Sequence, residues 1–190
     1  MNLHKDLIII DIETSGVDYE KSCIVQLGAV RFTKHGKLDR SQKFSIYIKP
    51  YKKSWSTKAE QIHGLSRGFL HRNGKDLKYV LSQFNDFCDG DEEIYLAHWA
   101  SSFDSEFLKS AYNLCNLKYP FSYRVFDISS IIRFHLALGN NLPLKHIGET
   151  GCANQLGITV DKKRTHDGLY DAYLSGEMLE KVIDINKEIV

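Results

Sequence analysis

The clearest feature of the hydrophobic and polar pattern is an unbroken apolar run, Leu-Ile-Ile-Ile, at residues 7–10. A β-prone run of this kind predicts a strand that is buried on both faces. Asp11, Ile12 and Glu13 follow, and because successive side chains of a strand point to opposite faces, the two carboxylates share one face. The pattern therefore predicts two acidic side chains at the C-terminal end of a central strand, where α/β sheets usually bind ligands.

Two interpretations of this acidic pair are open from the stretch alone. Two carboxylates this close repel each other, and burial increases the repulsion, so a metal ion between them is the simplest way to stabilise both. In the other interpretation, Asp11 caps a turn and Glu13 is merely solvated.

The rest of the chain alternates between the period of strands and the period of helices. Strands are predicted at 24–32 and 43–48, joined through a turn as an antiparallel hairpin, and shorter strands at 93–97 and 123–126. Helices are predicted at 57–63, 77–88, 103–115, 128–138, 144–155 and 169–185. Three strands followed by alternating helices and strands indicate an α/β fold with a mixed sheet flanked by helices.

Composition narrows the class of protein. A length of 190 residues with 43% hydrophobic and 26% charged residues predicts a single globular domain over residues 1–190. The net charge of +1 gives no global basic field, so a nucleic-acid partner would need a local patch or metal ions. Four scattered cysteines without paired spacing, and no apolar signal or membrane-length run, predict a cytoplasmic protein that does not enter a membrane.

Further acidic residues and a histidine fall where predicted helices begin. Asp104 lies at the start of helix 103–115, Asp171 lies near the start of the last helix, and His166 precedes it. With Asp11 and Glu13, these carboxylates could converge on one edge of the sheet. Oxygen ligands suit Mg²⁺ or Mn²⁺, and two such ions about 3.5–4 Å apart can clamp a phosphodiester. An imidazole, with an ordinary pKa of about 6.5, is suited to taking a proton from water.

Each of these residues also has an ordinary structural interpretation. Taken singly, Asp104 and Asp171 fit helix N-caps, and His166 fits a solvated residue before a helix. Asp127 and Asp167 fit N-caps better than further metal ligands. The ordered combination, and no single member, favours a site.

That combination resembles the three motifs of the DEDD exonuclease superfamily, whose members include the proofreading subunit of bacterial replicative polymerase and ribonuclease T. The motifs are D-I-E-T at 11–14, H-W-A-S-S-F-D at 98–104 and H-D-G-L-Y-D at 166–171. Supporting similarities are I-V-Q-L-G-A-V at 24–30 and I-H-G-L-S at 62–66. The superfamily's third motif reads either H-x-x-x-x-D or Y-x-x-x-D, and this chain resembles the histidine subclass, DEDDh.

The second motif departs from the usual H-N-x-x-F-D of that superfamily. Trp99 replaces the asparagine, and one extra residue separates His98 from Asp104. Asp104 still matches. We expect His98 to be a packed or hydrogen-bonded histidine, and Trp99 either to offer a stacking surface or to pack.

The resemblance implies a ribonuclease-H-like fold with a mixed, five-stranded sheet flanked by helices. It also implies a metal-dependent 3′–5′ exonuclease that hydrolyses single-stranded DNA or RNA to nucleoside 5′-monophosphates with two Mg²⁺ or Mn²⁺ ions. By resemblance, His166 is the general base, and Thr14 and His63 contact the substrate. The implied metal ligands are Asp11, Glu13, Asp104 and Asp171.

Two other functions compete with this one. The same fold could serve as a non-catalytic nucleic-acid-binding or protein-interaction module, or as a proofreading subunit associated with a DNA polymerase. The expected partners are the 3′ ends of single-stranded DNA or RNA, with no membrane. The sequence separates neither DNA from RNA nor a monomer from an oligomer.

Overall fold

The computed structural model describes residues 4–88, 94–99, 102–140 and 148–187. Within them, five strands form one mixed sheet in the order β3-β2-β1-β4-β5. β1 pairs antiparallel with β2 and parallel with β4, so it is the central strand. The predicted mixed sheet is therefore confirmed. The strands are β1 (Leu7–Thr14), β2 (Ile24–Thr33), β3 (Lys37–Tyr47), β4 (Ile94–His98) and β5 (Phe121–Asp127).

Helices cover both faces of the sheet. Ile8, Ile10 and Ile12 of β1 pack against one helical layer, whereas Leu7 and Ile9 pack against the other. Burial on both faces explains the continuous apolar run of β1. In the described part of the chain, no helix is both long and apolar enough to cross a membrane. The helices are α1 (Thr57–His63), α2 (Arg67–Asn73), α3 (Leu77–Phe87), α4 (Phe103–Leu114), α5 (Ile128–Asn140), α6 (Glu149–Gln155) and α7 (Gly168–Lys187).

The two neighbours of β1 differ in length at its C-terminal end. β4 pairs with β1 only over residues 7–9, whereas β2 pairs with β1 as far as Thr14. Among the residues that the structure describes, none forms a strand partner for the backbone of β1 beyond Ile9 on its β4 side. Asp11 and Glu13 lie on the same face as Ile9, which is the face that α7 covers.

The first turn of α7 lies directly on β1 and β2. Gly28 is opposite Asp11 in the β1–β2 ladder, and a Cβ atom on Gly28 would lie 2.1 Å from the carbonyl carbon of Gly168. A Cβ atom on Gly168 would lie 2.9 Å from the carbonyl oxygen of Asp11. The two glycines thus permit a close approach that brings the start of α7 to the acidic end of β1.

Apart from small shifts at the ends of elements, the structure differs from the sequence predictions at three places. β3 begins at Lys37, because a register shift between Val30 and Arg31 lets the hairpin pair further toward its turn than predicted. α2 was not predicted, although the Ser66 side chain caps it by accepting from the Phe69 N–H group. In place of the predicted helix 144–155, the observed helix α6 begins at Glu149. Residues 144–147 of the prediction lie outside the described residues.

Two aspartates cap helices as predicted. The Asp127 carboxylate accepts the N–H group of Ser130 at the start of α5, at 3.2 Å. The Asp167 carboxylate accepts the N–H group of Tyr170 in the first turn of α7, at 3.0 Å. Each satisfies a backbone donor that the helix itself leaves without a partner.

We expect Gly28→Ala to destabilise the protein. The new methyl group would overlap the backbone of Gly168 and Leu169, so α7 would have to move off the sheet. Overpacking of this kind costs about 1–3 kcal/mol in the free energy of unfolding, which urea denaturation measures. Gly139→Ala in α5 is the matched control, because nothing lies within 4 Å of its Cβ position. Equal stability of Gly28→Ala and the wild type would contradict the close contact.

Candidate active site

Residues of the first and third motifs meet at the C-terminal end of β1. Ligand atoms of Glu13, His166 and Asp171 all lie within 4.8 Å of one another. β1 supplies Glu13, the first turn of α7 supplies Asp171, and the loop just before α7 supplies His166. Among the residues that the structure describes, this is the only group of three such side chains spaced to hold a metal ion.

The backbone of His166 is fixed in an unusual conformation. Its φ angle is 67°, in the left-handed region that residues other than glycine seldom adopt. The N–H group of His166 donates to Oδ2 of Asp171 at 2.7 Å, which holds the loop to the helix. The imidazole itself is exposed, so a substrate can reach it.

Asp104 reaches the site from the opposite helical layer. The N-cap of α4 is Ser102, so the N-cap interpretation of Asp104 is wrong. Instead, Oδ1 of Asp104 accepts the N–H group of Ile12 at 3.2 Å, where β4 no longer pairs with β1. This bond anchors a buried carboxylate beside the acidic end of β1.

Burial raises the pKa values of the carboxylates of the site, and for Asp11 and Glu13 the charges of the other carboxylates add to it. Burial raises the pKa of Asp11 well above its usual value, and the charges of Asp104, Glu13 and Asp171 raise it further. Burial is also the main cause that raises the pKa of Glu13 to about 9, that of Asp104 to about 7 and that of Asp171 to about 6. A bound cation would reverse this repulsion, so the oxygen-rich cluster fits divalent metal ions.

Glu149 is a fifth carboxylate of the site, and sequence reasoning missed it. It begins α6, and its Oε1 atom accepts the hydroxyl of Ser175 at 2.7 Å. Ser175 lies one turn beyond Asp171 on the same face of α7. Burial, together with the charges of Asp171 and Asp104, raises the pKa of Glu149 to about 8. No local motif marks Glu149, because its approach depends on how α6 packs against α7.

The two predicted substrate-binding residues lie next to each other beside the cluster. Thr14 is buried, and its hydroxyl donates to the carbonyl oxygen of Gly16 at 2.8 Å. Nδ1 of His63 accepts the N–H group of Leu65 at 3.0 Å. Burial lowers the pKa of His63, and both the backbone of Thr14 and the imidazole of His166 are close enough to affect it.

The altered second motif packs into the fold. His98 is 2% exposed, and neither ring nitrogen has a hydrogen-bond partner among the described residues. It is therefore a packed histidine, and it is not part of the Glu13 ligand cluster. Trp99 packs against the core on the α7 side of the sheet, with the guanidinium of Arg133 5.8 Å from its ring centroid.

A ribonuclease-H-like sheet with carboxylates and a histidine at the end of its central strand defines a class of metal-dependent nucleases. A comparison with protein families identifies the family within that class: the RNase T exonuclease model matches residues 8–179. The chain therefore belongs to the RNase T exonuclease family, whose members use divalent metal ions.

Known relatives and solved structures agree with this assignment. The chain is 26% identical over 189 residues to ribonuclease T of Buchnera aphidicola subsp. Baizongia pistaciae (strain Bp), covering 93% of this chain and 83% of that protein. The nuclease domain of 3′hExo, a DEDDh family member bound to rAMP, has a TM-score of 0.76 at 22% identity over 97% of this chain and 95% of that one. E. coli ExoI in complex with single-stranded DNA has a TM-score of 0.80 at 16% identity. The match covers 97% of this chain and 42% of the ExoI chain. The two structures share the fold of this chain.

Without metal ions, the protein should be more stable at pH 5 than at pH 8. The pKa of Glu13 is about 9 in the folded protein against 4.5 for an ordinary glutamate, so folding takes up a proton between these values. The free energy of unfolding therefore falls as the pH rises through this window. Urea denaturation in EDTA at the two pH values measures the effect.

The matched variant for this prediction is Glu13→Gln, which should be less dependent on pH. Adding Mg²⁺ or Mn²⁺ at pH 8 should restore stability to the wild type, because the ion binds the folded state. Equal stability at both pH values, with no effect of metal, would contradict the buried repulsion.

Proposed function

We propose that this exonuclease removes nucleotides from the 3′ end of single-stranded DNA or RNA and releases nucleoside 5′-monophosphates. The observation that carries the proposal is the convergence of the buried Glu13 and Asp171 with the exposed His166, whose ligand atoms lie within 4.8 Å of one another at the C-terminal end of β1. The metal-dependent 3′–5′ exonuclease activity itself follows from membership of the family.

In this proposal, four carboxylates hold two Mg²⁺ or Mn²⁺ ions. Such ions supply neutralisation of the charge that develops on the phosphate, and they favour ionisation of the attacking water. Burial and mutual repulsion of the carboxylates support the assignment, because metal-free ionised side chains would be unstable there. The ligands are Asp11, Glu13, Asp104 and Asp171.

His166 is the general base of the proposal. Its exposed imidazole takes a proton from the attacking water, while its backbone N–H group stays bound to Asp171. His166 has a left-handed backbone conformation, and its exposed imidazole lies within 4.8 Å of the carboxylate oxygens of Glu13 and Asp171.

Thr14 and His63 contact the terminal nucleotide. Their position beside His166 supports this role, because the nucleotide that leaves must lie next to the base and the ligands. The hydroxyl of Thr14 closes the turn to Gly16, so the structure favours a contact through the Thr14 backbone.

Cations ahead of His166 are placed to hold the remaining strand. Lys162, Lys163 and Arg164 are exposed, and the guanidinium of Arg164 lies 4.6 Å from the ring centroid of Tyr170 in α7. Phosphate contacts from such residues do not depend on base sequence. These cations therefore support a nucleic-acid substrate that the protein binds through the sugar-phosphate backbone of the strand.

The wild-type protein should shorten 5′-labelled DNA or RNA oligonucleotides stepwise in Mn²⁺ or Mg²⁺, and EDTA should stop the reaction reversibly. Asp104→Asn and Asp171→Asn should each reduce cleavage by about 10²-fold or more, because each removes a charged ligand. Denaturing gels measure the ladder, and chromatography identifies the 5′-monophosphate. Asp39→Asn is the control, because this half-buried aspartate of β3 binds Ser41 and is not part of the acidic cluster.

Two results would contradict the proposal. Full activity in EDTA would rule out the metal mechanism. Mn²⁺ binding without cleavage of any oligonucleotide would favour a non-catalytic nucleic-acid-binding module.

His166→Ala should lower kcat far more than it weakens the binding of substrate or metal. The variant loses the proton acceptor but keeps the backbone bond to Asp171. General bases typically contribute about 10²–10⁴-fold to the rate. An unchanged kcat would remove His166 from the mechanism.

A further inference from the structure

Gln26 is a buried polar residue beside the carboxylates that the proposed chemistry does not use. It lies in β2 directly opposite Glu13 in the β1–β2 ladder, so the two side chains share one face of the sheet. The residue is 1% exposed. A buried amide is costly unless its polar atoms are satisfied, so the partners of Gln26 indicate what it does.

The side chain of Gln26 joins the sheet to the first turn of α7. Its Oε1 atom accepts the N–H group of Gly168 at 3.2 Å. Its Nε2 atom donates to Oδ2 of Asp167 at 3.4 Å and to the hydroxyl of Ser45 at 3.3 Å. One amide therefore binds both residues that follow His166, one through the backbone and one through the carboxylate.

These two residues control the geometry of the third motif. Asp167 caps α7 through its other oxygen, and its carbonyl oxygen accepts the N–H group of Asp171. The contact between Gly28 and Gly168 limits how closely α7 approaches the sheet, but a steric contact does not limit sliding or rotation. The directional bonds of Gln26 supply that second restraint.

We propose that Gln26 is a positioning residue of this exonuclease: its amide sets the position of His166 and Asp171 relative to Glu13. The expected effect of Gln26 on kcat rests on the proposed function, whereas its expected effect on metal affinity does not. Partners that orient metal ligands typically contribute about 10–100-fold to metal affinity or activity.

Gln26→Met tests the proposal, because methionine is similar in length but cannot form the three hydrogen bonds. We expect kcat on an oligonucleotide to fall by about 10–100-fold with little change in KM. The affinity for Mn²⁺, measured by calorimetry without substrate, should fall over the same range. Ser45→Ala removes only the bond to β3 and is the control, with kcat and Mn²⁺ affinity expected to stay close to those of the wild type.

A charge-conserving double variant, Gln26→Glu with Asp167→Asn, should rescue the geometry. The glutamate can accept from both Gly168 and the new amide, while the asparagine remains a good N-cap through its oxygen. We expect its kcat and Mn²⁺ affinity to lie well above those of Gln26→Met. Rates are taken per folded site, from circular dichroism and Mn²⁺ stoichiometry, so a loss of stability alone does not lower them.

The possible results separate this inference from the proposed function. If the wild type cleaves oligonucleotides and Gln26→Met has the same kcat and Mn²⁺ affinity, Gln26 has no positioning role. A double variant no better than Gln26→Met would also overturn the proposal. If the wild type does not cleave but Gln26→Met still weakens Mn²⁺ binding, the proposed function fails and the positioning role stands.

Discussion

The structure depends on holding several carboxylates together at a place where water cannot fully solvate them. Burial and mutual charge raise the pKa of Glu13 to about 9 and that of Glu149 to about 8. Apolar packing cannot satisfy charged oxygen atoms, so the carboxylates either take up protons or bind a cation, which turns the repulsion into attraction. The carboxylates are therefore held on strands and helices of the fold. Asp11 and Glu13 lie on β1, Asp104 lies on α4 and Asp171 lies on α7.

The positions of these elements depend on sheet backbone groups that have no strand partner or no side chain. β4 stops pairing with β1 before Ile12, and the free N–H group of Ile12 becomes the anchor for Asp104. Gly28 removes a side chain where α7 must touch the sheet, and the amide of Gln26 binds the start of the helix. The groups that contact these elements therefore all belong to the sheet: the N–H group of Ile12 and the bare backbone of Gly28, together with the side chain of Gln26.

Sequence reasoning could predict the elements whose signal is local. The apolar run of β1 and the alternation of Asp11 and Glu13 were sufficient for those predictions. Glu149 and Gln26 could not be recognised in the same way, because their partners Ser175 and Gly168 are distant in the chain. The assignment of individual roles to the carboxylates and to His166 stays a prediction that the proposed variants test.

The altered second motif indicates which part of a motif is under physical constraint. Asp104 takes its orientation from α4 and from the N–H group of Ile12, and neither contact involves His98. His98 is fixed by its place at the end of β4, where its ring is enclosed. Because the two residues are held by separate elements, the contacts that orient Asp104 do not depend on its spacing from His98. The substitution by Trp99 is accommodated in the same way, since its ring packs against the core on the other face of the sheet, away from Asp104.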